Sequence, residues 1–280
     1  MSREVKISAF TGALTRLGTP ELVVDALKEA GFKYYDFTMM CPIIGFELFY
    51  NSDGDYLAKA KEFRKYADKI GMHCNQTHGF TPYVVKDFSK EDNQTLFENV
   101  KRSIEVSRVL GAKCCVLHPS SDCSIHENAE RFKLLIDVAR ENDIIIAIEN
   151  VPNDKLFGKP EDFIELLNEI NDDHFKFCLD IGHAEMELTG SSAVDFINKM
   201  GDRLVCLHIH DNEKGHDIHQ LPYTFMIDFK EIWEALKKNH YQGDVTFECG
   251  TCFNNLPTSL FKDALKLLYD LGECIGKEIV

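Results

Sequence analysis

The feature that most constrains the fold is a regular alternation of short apolar runs with amphipathic segments along the whole chain. Each apolar run is long enough for one strand, and each is followed by residues with helical periodicity. Near-continuous apolar runs are typical of parallel strands that are covered on both faces. The alternation therefore predicts eight parallel strands, at Val5–Phe10, Lys33–Phe37, Met72–Thr77, Lys113–Leu117, Ile144–Glu149, Lys176–Asp180, Leu204–His210 and Asp244–Glu248.

The first intervening segment shows clear helix start and stop signals. Thr19, Pro20 and Glu21 supply an N-cap, a proline at the first helical position and an acidic residue in the first turn. Apolar residues then recur on one face until Gly31, which is typical of a helix C-terminus. Similar stripes follow the other runs, so the sequence predicts a helix after each strand.

Eight strand–helix units at this spacing predict an α/β fold, a closed (β/α)₈ TIM barrel. The alternative is a doubly wound open sheet, which usually carries a glycine-rich phosphate turn after its first strand. The corresponding stretch, "AFTGALTRLG", lacks that turn. No linker, low-complexity tract or charge run divides the chain, so we expect one domain over residues 1–280.

Six consecutive predicted strands end in a histidine, aspartate or glutamate, and active sites of such barrels lie at this end of the strands. A single residue of this kind is more often a satisfied loop residue or a salt-bridge partner. Carboxylates gathered at one mouth would repel one another and lose solvation, and a divalent cation removes that conflict. The sequence therefore predicts a metal site. The strand-end and adjoining loop residues are His78, His118, Glu149, Asp180, His183, His210, Asp217, His219 and Glu248.

The stretches "CLDIGHAEM", "HIHDN…DIH…IDF" and "FECG" resemble the xylose isomerase-like TIM-barrel superfamily, which includes sugar isomerases, sugar epimerases and endonuclease IV. The resemblance spans essentially the whole chain. It implies that one catalytic divalent metal is held by Glu149, Asp180, His210 and Glu248. It also implies further positions, which complete a trinuclear zinc cluster in endonuclease IV-like members and in part contact substrate in single-metal members: His78, His118, His183, Asp217 and His219.

The metal content follows from the ligand types. One site is favoured, and up to three metals fit the full set of ligand positions. Three oxygen ligands with one nitrogen suit Mn²⁺, Mg²⁺ or Co²⁺, while engagement of the additional histidines would shift the preference to Zn²⁺.

The residues of the stretch "HIHDNEKGHDIHQLP" at 208–222 are expected to have different roles. His210 is the expected ligand, whereas His208 is expected to pack or to support the site, and Asp211 to orient a neighbouring imidazole. We expect His216 to face solvent. Several sugar epimerases place an arginine after this histidine to grip substrate oxygens. Here the nearby cation is Lys214, a candidate substrate-binding residue with a point charge rather than a planar fork.

Composition limits the partners. The net charge of −15 and the absence of a basic run argue against nucleic acid as a partner. The longest purely apolar run, Ile144–Ile148, is too short to span a membrane, and no secretory signal follows Met1. Most of the ten cysteines lie in apolar runs, as in a reduced protein, so we expect a cytoplasmic location. We interpret Cys249 and Cys252 as incidental despite their redox-motif spacing.

The predicted partner is a small sugar or sugar derivative. Aromatic side chains in the loops of the barrel mouth can stack on the apolar faces of sugars, although packing within the loop is the better interpretation for each one singly. The sequence leaves the oligomeric state open, a homo-oligomer included. The aromatic residues are Phe46, Phe49, Tyr50, Phe80, Tyr83, Phe157, Tyr223 and Phe225.

The predicted reaction is aldose–ketose isomerisation or epimerisation at carbon 3. Both reactions remove a proton next to a carbonyl, a step in which a metal stabilises the enediolate while Glu149 and Glu248 act as base and acid. Dehydration or another lyase reaction on a cyclitol or keto acid is a near alternative. Phosphodiester hydrolysis of the endonuclease IV kind is a second class, and a binding protein with a decayed site is a third, against which the intact glutamates argue.

Overall fold

The computed structural model describes residues 3–40, 55–86, 89–152, 155–186, 188 and 190–280. Its strands alternate with helices, as the apolar runs predict. The strands are β1 (Ile7–Ala9), β2 (Tyr34–Thr38), β3 (His73–His78), β4 (Cys114–Leu117), β5 (Ile145–Glu149), β6 (Phe175–Asp180), β7 (Leu204–His208), β8 (Asp211–Glu213), β9 (His216–Gln220) and β10 (Val245–Phe247).

The helices follow the strands around the molecule, and within the described ranges none is long and apolar enough to cross a membrane. They are α1 (Pro20–Ala30), α2 (Tyr56–Ile70), α3 (Lys90–Leu110), α4 (Ile125–Asn142), α5 (Pro160–Ile170), α6 (Ile181–Ala184), α7 (Ala193–Met200), α8 (Phe229–Lys238), α9 (Thr251–Asn254) and α10 (Phe261–Glu278).

Eight parallel strands form a closed ring, which confirms the predicted barrel. Strands β2 to β7 pair in sequence order, and β1 pairs with β10. Single parallel bridges join the two sheets, one between Phe10 and Asp36 and one between Ile209 and Phe247. These bridges close the ring on both sides of the β1–β10 pair, so the strand ends converge on one mouth.

Local capping explains why the helices begin and end where they do. The Thr19 side chain accepts a hydrogen bond from the Leu22 N–H at the start of α1, and Gly31 ends the helix in the left-handed conformation. Ser124 and Glu127 form a reciprocal capping box at the start of α4. The start and stop signals predicted for α1 are therefore confirmed.

The core has two layers. The larger layer lies between the strands and the surrounding helices and holds most of the buried aliphatic and aromatic side chains. The smaller layer fills the barrel interior with compact side chains, namely Cys114, Val116, Ala147, Cys178 and Cys206. Small residues suit this position because side chains from several strands meet inside a narrow barrel.

The described cysteines are free thiols, and most are buried, as the apolar runs indicate. Cys249 is buried at the end of β10, and its pKa is raised well above the ordinary value by burial. The pKa of Cys252 is raised to about 12, again by burial. Neither thiol carries the depressed pKa of a reactive pair, which supports the interpretation of this motif as incidental.

The sequence does not predict one element, the antiparallel hairpin of β8 and β9. The seventh apolar run extends to His210, but β7 ends at His208, and the chain turns into the hairpin two residues later. Asp217 and His219, expected in an irregular loop, therefore lie on the second strand of this hairpin.

Packing of α10 against β1 gives a stability prediction. A methyl group on Gly272 would overlap Ile7 and touch the Phe247 ring, whereas a methyl group on Gly276 would only make ordinary contact with Val5. We expect Gly272→Ala to lower the free energy of unfolding by about 1–3 kcal/mol through overpacking. The matched variant Gly276→Ala should raise it by roughly 0.5–1 kcal/mol through helix propensity.

Urea denaturation of the two variants measures this difference. Equal stabilities would show that α10 does not lie against β1 at this distance.

Candidate metal centre

The predicted site residues lie at one rim of the barrel. His78, Glu149 and Asp180 are the last residues of their strands, while His118 and Glu248 follow β4 and β10 directly. Because all of these strands are parallel, their carboxyl ends meet at the same mouth. The side chains there form three neighbouring groups of possible metal ligands.

The first group contains Glu149, Asp180, His208 and Glu248, and all four side chains are buried. Each contributes one ligand atom, and these atoms lie within 4.8 Å of one another. His208 Nδ1 is 3.1 Å from Glu149 Oε1 and 3.0 Å from Glu248 Oε2. Three carboxylates and one imidazole form an oxygen-rich set of ligands for a divalent cation.

Unsatisfied polar atoms show that this group fits a cation. Within the described part of the chain, Glu149 Oε1, Glu248 Oε2 and both ring nitrogens of His208 are buried without a hydrogen-bond partner. Buried polar atoms almost always have a hydrogen-bond partner in native proteins. Several buried polar atoms that face one another without such a partner therefore indicate a bound ligand. A divalent cation satisfies the two carboxylate oxygens and the ring nitrogen together.

The second group contains His78, Glu149 and His208 and therefore shares two members with the first; His118 adjoins it. His78 Nε2 and His118 Nε2 lie 3.3 Å and 3.0 Å from Glu149 Oε2, and the two nitrogens are 3.0 Å apart. His78 also stacks on His208, with 5.6 Å between the ring centroids. One carboxylate therefore contacts imidazoles from β3, from the end of β4 and from β7.

The third group is richer in nitrogen and contains His183, His210, Asp217 and His219. Asp217 Oδ2 lies 3.2 Å from His183 Nε2 and 3.1 Å from His219 Nε2. The rings of His210 and His219 are stacked with 3.8 Å between their centroids. His210 Nε2 lies 2.9 Å from Asp180 Oδ1, which connects this group to the first.

The hairpin is shaped by residues that the sequence analysis does not single out. Asn212 Oδ1 accepts hydrogen bonds from the backbone N–H groups of Ile218 and His219, and its amide nitrogen donates to Asp217 Oδ1. Gly182 leaves room for His210, because a methyl group there would overlap the imidazole ring. The sequence did contain two signals for these roles. Asn212 follows the histidine-rich strand end, and Gly182 lies directly before His183.

The side chain of Asp211 has a different role from the one expected. Its carboxylate accepts hydrogen bonds from the backbone N–H groups of Asn212, Phe225, Met226 and Ile227. The carboxylate therefore holds the loop after the hairpin, and the contact of Asp211 with a neighbouring imidazole is made by its backbone oxygen, 3.5 Å from His210 Nδ1.

The carboxylates of the first group are held in the ionised form. Burial by itself raises the pKa of Glu149, but His208 and His118 outweigh burial and hold the pKa well below the ordinary value. Burial likewise raises the pKa of Glu248, and contacts with His208 lower it to about 2. Neighbouring acids conversely raise the pKa of His208 well above its ordinary value, although burial opposes this.

The third group shows the same balance. Burial lowers the pKa of His183, but the charges of Asp180 and Asp217 outweigh it and raise the pKa to about 10. The pKa of His219 rises to about 9, because its bond to Asp217 outweighs burial. Opposite charges therefore compensate one another across the mouth.

The structure brings together all nine predicted ligand positions but groups them differently from the prediction. Glu149, Asp180 and Glu248 meet as expected, yet the imidazole among them belongs to His208 and not to His210. The reason is that β7 ends at His208 and the chain then turns toward the hairpin. Lys214 lies exposed in the turn between β8 and β9, and its contact with substrate stays a prediction.

The aromatic residues expected at the mouth divide into three kinds. Tyr83 and Phe157 are buried in the core, which agrees with packing as the better interpretation for each of them. Tyr223 and Phe225 are about half exposed, and Phe80 is partly buried against the core. Three others lie outside the described residues, namely Phe46, Phe49 and Tyr50.

A cavity of about 250 Å³ adjoins the first group. Glu248 and His219 line one side, and Phe10, Ala13 and Met40 supply an apolar side. A larger cavity of about 580 Å³ lies at the opposite end of the barrel, beside the first residues of β1 and β2, and holds none of the predicted ligands. Of these two cavities, the smaller one borders the ligand groups.

A family model described as the xylose isomerase-like TIM barrel matches residues 24–271, so the chain belongs to this family. An uncharacterized protein of Sinorhizobium fredii is 28% identical over 166 residues, which cover 55% of this chain and 53% of that protein. D-psicose 3-epimerase of Enterocloster bolteae is 26% identical over 205 residues, 67% of this chain and 65% of that protein.

The chain thus spans about half the length of the first relative and under two thirds of the epimerase. Among solved structures, the IOLI protein with a bound zinc atom superposes with a TM-score of 0.80 at 16% identity. That alignment covers 98% of this chain and 99% of the other, a likeness of fold.

The grouping of possible ligands predicts different effects for His208, the last residue of β7, and His210, which follows the strand. We expect His208→Ala to weaken Mn²⁺ binding strongly, because it removes the imidazole whose ring nitrogen lies within 4.8 Å of ligand atoms of Glu149, Asp180 and Glu248 together. The matched variant His210→Ala removes a neighbour of Asp180 and should weaken Mn²⁺ binding less than His208→Ala does. Isothermal titration of the metal-free proteins measures both affinities, and the reverse order would show that His210 is the ligand.

Proposed function

We propose that the protein is a divalent-metal-dependent isomerase or epimerase that acts on a small sugar or sugar derivative. The observation that carries this proposal is the meeting of Glu149 and Glu248 at one imidazole, His208, inside the barrel mouth. Two carboxylates on one substrate can divide proton transfer between them, one removing a proton from carbon and the other returning one. The similarity to D-psicose 3-epimerase, and that enzyme's name, support the same class of substrate.

The cation would be held by Glu149, Asp180, His208 and Glu248. When bound, it supplies positive charge that polarises carbonyl and hydroxyl oxygens of the substrate. The oxygen-rich ligand set suits Mn²⁺, Mg²⁺ or Co²⁺, and the histidine-rich third group suits Zn²⁺. The zinc atom in the structurally similar IOLI protein agrees with a divalent metal in this fold.

The two glutamates are suited to move protons. They come from β5 and the end of β10, which are separated in the ring by β6 and β7, so they approach a bound molecule from different directions. Both pKa values are lowered, so each carboxylate is ionised at neutral pH and ready to accept a proton. One glutamate removes a proton from the carbon next to the carbonyl. The other first takes up a proton from water and then delivers it to the product, after which the base returns its own proton to water.

The position of Glu248 supports direct contact with substrate. It lines the cavity of about 250 Å³ beside Phe10 and His219, whereas Glu149 is fully buried and does not line that cavity. The apolar residues of the cavity can cover the carbon face of a sugar, while its polar groups bind hydroxyls. Lys214, in the turn of the hairpin, is predicted to contact the substrate as well.

Conservative substitution of the glutamates tests the mechanism. Glu149→Gln and Glu248→Gln should each lower turnover by about 10²–10⁴-fold, because positioned acid–base catalysis supplies that factor. A panel of ketoses, aldoses and their phosphates, with proton–deuterium exchange in heavy water, identifies the substrate and reports the proton transfer. Glu213→Gln, an exposed carboxylate on the hairpin, is the matched control for loss of a negative charge.

Metal content must be measured in each variant, because both glutamates belong to the ligand group. Near-native turnover by metal-loaded Glu149→Gln and Glu248→Gln would exclude both residues as the base. A metal-activated hydroxide of the hydrolytic kind would then become the better account.

A second candidate function is phosphodiester hydrolysis, which is favoured by the presence of three adjacent ligand groups rather than one. A trinuclear centre matches that chemistry. The net charge of −15 opposes it, because a phosphate backbone is bound by arginine and lysine. A dehydratase or lyase would use the same proton abstraction and is tested by the same substrate panel.

We expect no cleavage of duplex DNA that contains an abasic site, and no binding that weakens steeply with salt. Gel assays with the zinc-loaded and manganese-loaded protein at low ionic strength measure both. Metal-dependent strand cleavage would replace the sugar isomerase proposal with the hydrolytic one.

A further inference from the structure

A chain of buried polar side chains crosses the barrel interior just beneath the metal centre. Its members lie on the neighbouring strands β10, β1, β2 and β3, each two residues before a residue of the rim, and therefore face the same interior. All are fully or almost fully buried. They are Ser8, Asp36, Gln76 and Thr246.

The hydrogen bonds among these four polar side chains all donate in the direction of Asp36. Thr246 Oγ1 donates to Gln76 Oε1 over 3.0 Å, and Gln76 Nε2 donates to Asp36 Oδ2 over 3.0 Å. Ser8 Oγ and Thr246 Oγ1 are 2.9 Å apart, and because Thr246 gives its proton to Gln76, Ser8 is the donor of that pair. Every proton points toward Asp36, which ends the chain as a pure acceptor.

The backbone of β2 contributes to this arrangement. The pairing of β2 with β3 shifts register between Tyr35 and Asp36, so that Asp36 pairs with Gln76 and Asn75 is skipped. The irregularity places a carboxylate beside an amide that can donate to it.

The remaining neighbour of the Asp36 carboxylate is the ring of His208. His208 Nε2 lies 3.4 Å from Asp36 Oδ2, while the opposite ring nitrogen, Nδ1, lies among the carboxylate oxygens of Glu149 and Glu248. Asp36 Oδ1 is buried without a hydrogen-bond partner among the described residues, so the carboxylate retains capacity to accept. A small rotation of the ring brings Nε2–H into hydrogen-bonding geometry with this group.

We propose that Asp36 is a positioning residue for the metal ligand His208. Its carboxylate accepts the Nε2–H of His208 and thereby fixes the tautomer in which the lone pair of Nδ1 faces the metal. Carboxylates that accept the second N–H of a ligating histidine set its orientation and raise its basicity in metal sites generally. This inference rests on the metal centre of the proposed function, but not on the reaction.

The polar chain makes a comparison of two variants informative. Asp36→Asn keeps the shape of the side chain but removes its charge, so it should weaken Mn²⁺ binding by about 10–100-fold. Thr246→Val breaks the same buried chain at a residue that is separated from His208 by Gln76 and Asp36, and should change the Mn²⁺ affinity by no more than about twofold. Both should destabilise the metal-free protein in urea, because each leaves a buried polar partner unsatisfied.

Isothermal titration with Mn²⁺ and urea denaturation of the metal-free proteins supply these values. Wild-type affinity in Asp36→Asn would overturn the proposal. Equal weakening of Mn²⁺ binding in both variants would also overturn it, since Asp36 would then act only through the stability of the barrel.

Nuclear magnetic resonance of ¹⁵N-labelled imidazoles tests the tautomer in the unmodified, zinc-loaded protein and does not depend on a variant that folds. We expect a proton on Nε2 of His208 and metal on Nδ1. A proton on Nδ1 would contradict the proposal. A protein that binds metal in this way but converts no sugar would contradict only the proposed reaction, whereas a protein that binds no divalent metal would overturn both.

Discussion

The imidazole of His208 lies between the carboxylates of Glu149 and Glu248, and the arrangement of the barrel mouth depends on how this buried charge is balanced. A carboxylate taken out of water costs several kcal/mol unless a positive partner compensates it. Here imidazoles surround every buried carboxylate of the centre. The closed barrel makes the balance necessary, because it directs all strand ends to one place.

Glu149 and Asp180 connect the three ligand groups, because each carboxylate contacts members of more than one group. Glu149 contacts imidazoles of the first and second groups, and Asp180 contacts His210 of the third. Removal of either carboxylate therefore leaves charged partners uncompensated on two sides. Effects of substitutions in such connected networks are not additive, so metal content and turnover must be measured together for each variant.

Membership in the xylose isomerase-like TIM-barrel family accounts for the scaffold, while the chemistry depends on the groups at its mouth. Rigid strands carry the first group, and a hairpin held by Asn212 carries part of the third. Side chains on strands and strand ends are held more firmly than side chains on loops.

The sequence by itself determined the eight strands, the closed barrel and the rim of ligand residues, because hydrophobic periodicity and strand order are local properties. It did not determine which histidine joins the carboxylates. His208 and His210 are two residues apart, so an uninterrupted strand would point both side chains to the same face. They fall into different ligand groups because β7 ends at His208. Burial of Tyr83 and Phe157, and the place of Asp36 beneath His208, were likewise decided by the tertiary structure, since they depend on contacts between residues far apart in the chain.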